Sequence, residues 1–276
     1  MANEQVLKLP AGNFFGQTLR TQKFSGLRLT ETFYLTGMRQ PEHGHESPLY
    51  CFVLAGMYVE RVGRKEHAGG PLALAFLPSG HMHAESYGAP GRHLLLEMDR
   101  AWIEYGREGD LCLDARADLE GGPPIWLMMK IYREFRRFET DSPALIESWL
   151  LELFVETSRN RTRPVEARAP RWFTGVTELL RARSSETLGL RDVASEVGVH
   201  AAYLARCFRK LKGCTMGEYV RSLRVEQAGR RIAESDDPLA EIALEAGFAD
   251  QSHLSRVFKL HTGMLPGEFR SLLRRV

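Results

Sequence analysis

The chain has 276 residues, 43% hydrophobic and 26% charged, with a formal net charge of +2. That is long enough for two buried cores and ordinary for a globular protein. No stretch approaches the ~18 uninterrupted apolar residues of a membrane span, and MANEQVLKLPAGNFFGQTL lacks the basic-then-apolar order of a signal peptide, so neither a membrane partner nor export is expected. Four scattered cysteines (Cys51, Cys112, Cys207, Cys214) with no C-x-x-C spacing fit reduced thiols in a cytoplasm.

Residues 26–99 alternate as strands do. GLRLTETFYL, YCFVLAGMYVERVG, PLALAFLP and RHLLLEMD are rich in branched and aromatic residues and are set apart by Gly and Pro, which predicts a small antiparallel sandwich or barrel. Two stretches within it concentrate histidine: PEHGHES (His43, His45) and PSGHMH (His81, His83). On a strand, residues two apart point the same way, so His43 and His45 are expected to share a face. H-x-H followed by P-x-G-x-x-H resembles the paired motifs of the cupin barrel. The resemblance implies that His43, His45 and His83 stand at metal-ligand positions. A cupin's fourth ligand is usually a glutamate a few residues past H-x-H; near that place stands Tyr50, while Glu46 adjoins the pair.

Three histidines suit a divalent transition metal (zinc, iron, nickel or copper) with an open position. The alternative is a metal-free pocket for a small-molecule effector, lined by His43, His45, His83 and Tyr50, with Phe33, Phe52 and Phe76 as further lining or plain core. Residues 1–121 are therefore expected to be a cupin-like sensing domain.

The period changes after Pro124. Ile125, Met128, Ile131, Tyr132, Phe135 and Phe138 recur at steps of three and four; a second helix follows, with Ser142 as N-cap, Pro143 at its first position, and Ile146, Trp149, Leu150, Leu153 and Phe154 on one face. These faces can pack on the barrel or on a second chain; residues 122–158 are expected to form a helical dimerisation segment in a homodimer. RNRTRPVEARAPR, residues 159–171, has five arginines, two prolines and no apolar period, which predicts a linker.

Charge is uneven along the chain. Residues 1–171 carry 21 Lys+Arg against 22 Asp+Glu, and residues 172–276 carry 16 against 13. The second part reads as helices throughout and contains a duplication. GVHAAYLARCFRKLKG (198–213) is rewritten as GFADQSHLSRVFKLHTG (247–263), and the helices before them, LRDVASEVG and LAEIALEAG, match as well. Leu190, Val193, Ala194 and Val197 line one face in the first copy; Leu239, Ile242, Ala243 and Ala246 do so in the second, where Asp237 is the expected N-cap and Pro238 the first helical residue. Each glycine supplies the left-handed conformation of a sharp turn.

Each copy is thus a helix-turn-helix, at about 190–211 and 239–261, with its second helix placed to enter a major groove. Leu204, Cys207, Phe208 and Leu211, and in the second copy Leu254, Val257, Phe258 and His261, are expected to face inward. The outward faces carry Ala201, Ala202, Ala205, Arg206 and Arg209, then Gln251, Ser252, Ser255, Arg256 and Lys259. Amide, hydroxyl and guanidinium groups are the side chains that read base edges, whereas alanine offers only a methyl contact to thymine. Between the copies, Thr215-Met216-Gly217-Glu218 forms a capping box that starts a long joining helix (Tyr219, Val220, Leu223, Ala228, Ile232), so two recognition helices can address adjacent groove segments.

Residues 190–270 resemble the DNA-binding domain of the AraC/XylS family of bacterial transcription regulators, most strongly in IALEAGFADQSHLSRVFKLHTGMLPGEFR. The resemblance implies base contacts from Ala201, Ala202, Ala205 and Arg206 and from Gln251, Ser252, Ser255 and Arg256. The family usually has serine or a similar cap where this chain has His200, which predicts a less firmly started first recognition helix. The reading is an α+β protein with an all-α domain at 172–276, a cytoplasmic regulator that binds double-stranded promoter DNA, with RNA polymerase as a partner if it activates. The alternative is a metal-dependent cupin enzyme, of dioxygenase or isomerase type, fused to a DNA-binding domain. No general acid or base is placed by motif beside the histidines, so no catalytic residue is assigned.

Overall fold

The computed structural model describes residues 7–109, 111–119, 121–161 and 170–274. The chain divides into two compact units, one within Met1–Thr162 and the other within Arg163–Ser271. No helix among the described residues is long and apolar enough to cross a membrane.

The front unit runs β1 (Leu7–Leu9), β2 (Gln17–Phe24), β3 (Leu27–Tyr34), β4 (His43–His45), β5 (Leu49–Ala55), β6 (Tyr58–Val62), β7 (Lys65–Gly69), β8 (Leu74–Leu77), β9 (Ala84–Tyr87), β10 (Gly91–Met98), α1 (Arg100–Glu108), β11 (Ala117–Leu119), α2 (Pro123–Arg137) and α3 (Ser142–Arg161). One sheet has six strands in the order β11-β8-β5-β10-β3-β2; a second has three, β7-β6-β9; β1 and β4 pair in parallel. β10 is buried along its whole length because it pairs on both sides, with β3 and β5. A bridge between His43 and His83 joins β4 to the segment entering β9.

Alternation along β5 sorts its side chains between two environments. Leu49 and Cys51 face the space between the sheets. Tyr50 turns the other way: its ring lies 5.1 Å from that of Phe76 and 6.3 Å from that of Phe154, and its hydroxyl bonds Thr157 Oγ1 of α3 at 2.7 Å. Phe52 and Phe76 are also fully buried, so this aromatic set is core and not cavity lining.

The apolar faces of α2 and α3 cover this side of the six-stranded sheet. Ile125, Met128, Ile131, Tyr132, Phe135, Ile146, Leu150, Leu153 and Phe154 are all buried within one chain, so these faces are not free to receive a second copy. α2 ends at Arg137, and Phe138 adopts a left-handed conformation (φ 45°) as its C-cap, with its ring tilted 46° to that of Phe24 and 5.5 Å from it. The Ser142 hydroxyl accepts from the Glu139 amide at 2.6 Å and donates to the Glu134 carboxylate at 2.7 Å, bonding back to the preceding turn. The predicted linker begins late, since α3 continues through Arg161; residues 162–169 of it lie outside the described residues.

One charged cluster fastens these helices. Glu31 on β3 is 0% exposed and meets Arg92 Nε of β10 at 3.3 Å, Arg136 Nη1 of α2 at 3.2 Å and the Tyr132 hydroxyl at 3.0 Å. α1 has no counterpart in the sequence reading. Asp99 caps it by accepting from the Trp102 amide at 3.3 Å, and only Ile103 and Gly106 are buried, too few to show a period.

The back unit is all helical: α4 (Arg171–Ala182), α5 (Leu190–Glu196), α6 (Ala201–Lys212), α7 (Met216–Glu234), α8 (Leu239–Glu245), α9 (Gln251–Thr262) and α10 (Pro266–Arg274). Gly198 and Gly247 have φ 70° and 82°, as the turns require. Phe173, Val176 and Leu180 of α4 close the first core together with Val193, Ala194, Leu204 and Phe208.

Removing the Glu31 carboxylate takes a buried counter-charge from one buried and one half-buried guanidinium, the kind of loss that costs about 3–5 kcal/mol. Glu31→Ala is expected to lower the front unit's stability by that order in urea unfolding of the full chain. A change under about 1 kcal/mol would show that the cluster is not a fastening.

Candidate nucleic-acid interface and histidine cluster

The second helix of each helix-turn-helix in the back unit begins with a side-chain cap. Asp250 accepts from the His253 amide at 2.7 Å to start α9. At α6 it is His200, whose Nδ1 accepts from the Ala202 amide at 3.3 Å. A neutral imidazole nitrogen has the lone pair a cap needs, so histidine substitutes for the serine expected there. The capping box at Thr215 and Glu218 forms as read, with the Glu218 amide bonded to Thr215 Oγ1 at 3.2 Å and the Thr215 amide to Glu218 at 2.7 Å. The cap of α8 differs. Pro238 is its N-cap and the helix starts at Leu239, while the Asp237 carboxylate pairs with Arg231 of α7 at 2.7 Å.

On α9, Gln251, Ser252, Arg256 and Lys259 are exposed and Ser255 is half-buried, one polar strip along the helix. On α6, Ala202, Arg206 and Arg209 are exposed and Ala205 is half-buried. Ala201 is not a free outward residue: it packs against the first core. Tyr203, which the sequence reading left unassigned, is exposed on the same helix, with its ring 5.7 Å from that of Trp172. Arg206 and Arg256 thus occupy equivalent, exposed positions in the two copies.

In the front unit, His43, His45 and His83 come together, with their ring nitrogens within 4.8 Å of one another, and all three are buried. His43 Nδ1 lies 2.9 Å from the Pro41 carbonyl and His83 Nδ1 3.1 Å from the His81 carbonyl. A carbonyl only accepts, so each Nδ1 carries the proton and each Nε2 keeps its lone pair. That is how metal-binding imidazoles are commonly oriented. His45 Nδ1 is buried without a hydrogen-bond partner, as is the Nε2 amide nitrogen of Gln40 on the same cavity wall. Burial pushes the pKa of His43 down to about 4 and that of His45 to about 3, so both are neutral at pH 7.

Tyr50, the expected fourth member, is absent from this cavity because its strand turns it toward α3; Glu46 is exposed on the surface. The carboxylate that does stand beside the cluster is Glu85 on β9, buried, with Oε1 4.0 Å from His83 Nε2 and Oε2 accepting from the Tyr87 hydroxyl at 2.6 Å. The H-x-E spacing of His83 and Glu85 was the available signal, since a two-residue step along an extended segment keeps to one side. Glu60 also approaches His83, but Arg116 engages it at 2.6 Å. Cys51, His93 and Tyr34 complete the wall; the free space at its centre holds little more than a water-sized body.

The helix-turn-helix domain family matches residues 193–271. The probable transcription factor PqrA of Proteus vulgaris is 37% identical over 86 residues, 31% of this chain and 70% of that protein. The melibiose operon regulatory protein of Escherichia coli is 26% identical over 127 residues, 46% of this chain but only 42% of that one. Among solved structures, a transcriptional regulator with an AraC-type DNA-binding domain from Chromobacterium violaceum is 27% identical, covering 38% of this chain and 93% of its own, with a TM-score of 0.36.

His93 supplies a test of the cavity wall. It is 1% exposed, ringed by Tyr34, Tyr58 and Tyr87 at 4.9, 5.0 and 5.6 Å, and burial lowers its pKa to about 3. The unfolded chain takes a proton near 6.5 and the folded chain only near 3, so this stability is full above pH 6.5 and is lost as pH falls toward 3. His93→Gln is expected to flatten the fall in melting temperature between pH 6.5 and 4, by an amount equivalent to up to about 3 kcal/mol. Parallel curves for the two proteins would contradict this.

Proposed function

The chain belongs to the AraC/XylS family of transcription regulators, and from that premise we propose that α6 and α9 read the two halves of a promoter site while the front unit senses a divalent transition metal. The observation that carries the DNA reading is the paired, exposed arginine: Arg206 and Arg256 stand at equivalent positions of two capped helices, and packing does not require them there. Gln251, Ser252, Ser255 and Arg256 are assigned to base edges in one half, and Arg206 with the methyls of Ala202 and Ala205 to the other. Arg209 and Lys259, one turn further along, are assigned to phosphates.

The metal reading rests on the two Nδ1–H groups held by backbone carbonyls, which leave the Nε2 atoms of His43 and His83 as free lone pairs beside His45. Their spread suits one ion with bonds of about 2.0–2.1 Å after small ring rotations. A bound ion would tie β4 to the segment entering β9, which gives the signal a structural consequence. For a homodimer, the outward side of α3, where Leu145 is exposed, remains as a surface, because its inward side is used within the protomer. RNA polymerase is the further partner if the protein activates.

Protein isolated without chelators is expected to carry about one divalent ion per chain, and His43→Ala or His83→Ala to abolish it. Wild-type protein found free of metal, and binding none when zinc, iron, nickel or copper is added, would overturn the metal reading.

The DNA reading is tested by competition over a library of site variants. Removing Gln251 or Arg256 is expected to relax base preference within one half, each bidentate contact giving about 1–3 kcal/mol of discrimination. Arg206→Ala is expected to do so at one position of the other half. Lys259→Ala is expected to weaken all sequences alike and to lower the salt slope by about one. Uniform weakening by Arg256→Ala would reassign that residue to the phosphates.

A further inference from the structure

Arg224, midway along α7, directs its guanidinium at three backbone carbonyls. Nε donates to Ser184 O at 2.7 Å, Nη2 to Glu186 O at 2.9 Å and Nη1 to Gly247 O at 2.6 Å. Ser184 and Glu186 lie in the segment between α4 and α5, at the entrance to the first helix-turn-helix. Gly247 is the turn of the second. One planar, rigid fork therefore holds a point of each reading unit at once, which an ammonium on a flexible stem does not reproduce.

The two turn glycines differ in the same place. A Cβ on Gly198 would meet nothing within 4 Å, so that glycine is needed only for its positive φ. A Cβ on Gly247 would fall 2.5 Å from Ser185 O and 2.7 Å from Ser185 Cα. The second turn thus lies backbone against backbone on the Ser184–Glu186 segment, at the spot that Arg224 clamps. Matching copies of one motif have no packing reason to differ in this way unless the second turn also docks on the first unit.

A helix of 19 residues, about 28 Å long, sets the distance between the units but not their rotation about its axis. Rotation matters to a DNA reader, because one base pair displaces a half-site by about 3.4 Å and turns it by about 35°. We propose that Arg224, seated on Ser184, Glu186 and Gly247, is a positioning residue that fixes the half-site spacing at which α6 and α9 bind together. The inference rests on the DNA reading of those helices.

The experiment selects a site from random duplexes with the full-length wild-type chain, then measures affinity for that site with one base pair added or removed between its halves. Wild type is expected to lose about tenfold or more for either change. Arg224→Ala is expected to bind the selected site more weakly and to lose less than about threefold on the same changes, with base preferences inside each half unaltered. Arg224→Lys, which keeps the charge and one contact, is expected to fall between, and it carries the test if circular dichroism shows Arg224→Ala unfolded. Gly247→Ala is expected to relax spacing as well, whereas Gly198→Ala is not. An unchanged spacing penalty in the folded Arg224 variants, with affinity lowered equally at all spacings, would overturn the clamp while leaving the DNA reading intact. A wild-type chain that selects no sequence at all would overturn that reading and the clamp with it.

Discussion

A polar group taken out of water must find a partner inside the protein, and both units of this chain are organised around that demand. In the front unit Glu31 is fully buried and draws Arg92, Arg136 and Tyr132 to itself, which fixes α2 against the six-stranded sheet. In the back unit Arg224 is answered by backbone carbonyls alone, and those carbonyls belong to segments far apart in sequence. The polar contacts set where the apolar surfaces meet; the apolar surfaces supply most of the stability. Two buried atoms without a hydrogen-bond partner, His45 Nδ1 and Gln40 Nε2, lie on one cavity wall with the imidazoles of His43 and His83.

The back unit was legible because its signals are local. Glycine at a turn, a capping box and a repeat at an offset of about fifty residues need no knowledge of the tertiary fold, and the predicted helices and inward residues stand where the pattern placed them. The exceptions are those in which a distant group intervened. Asp237 pairs with Arg231 instead of capping α8, and Ala201, half-buried, packs against the core that α4 completes. His200 took on a cap that residue-type preference did not foresee, since imidazole accepts only in its neutral form.

The front unit was legible in its strands and less so in its site. The histidines were drawn together by the pairing of β4 with the segment entering β9, a contact between residues 40 positions apart that spacing alone does not establish. Tyr50 was misplaced because the phase of β5 relative to the cavity depends on its register with β8 and β10, and a shift of one residue exchanges every side chain between the faces. Glu85 was missed for the complementary reason: its two-residue step from His83 was visible, but nothing in the sequence marked that segment as cavity wall. The faces of α2 and α3 read correctly as apolar, yet amphipathicity does not say which surface it will meet, and here the partner is the chain's own sheet.

The duplication is conserved in backbone and unequal in chemistry, and the inequality has a physical use. α9 offers an amide, two hydroxyls and a guanidinium, so it can hold a site on its own contacts, whereas α6 offers one guanidinium among methyls. A weak reader joined to a strong one by a floppy connection gains little, because its local concentration over the second groove is spread across many orientations. Joined rigidly, it is delivered to the right groove segment whenever the strong reader binds, and its few contacts then add nearly in full. If α6 and α9 read DNA as proposed, stiffness in the joint stands in for polar side chains on α6. It also converts a difference in spacing, which no side chain of α6 reads directly, into a difference in affinity. On the proposed reading, the geometry that a second docking turn and a half-buried arginine impose is part of what the chain would read in DNA, alongside the bases assigned to its side chains.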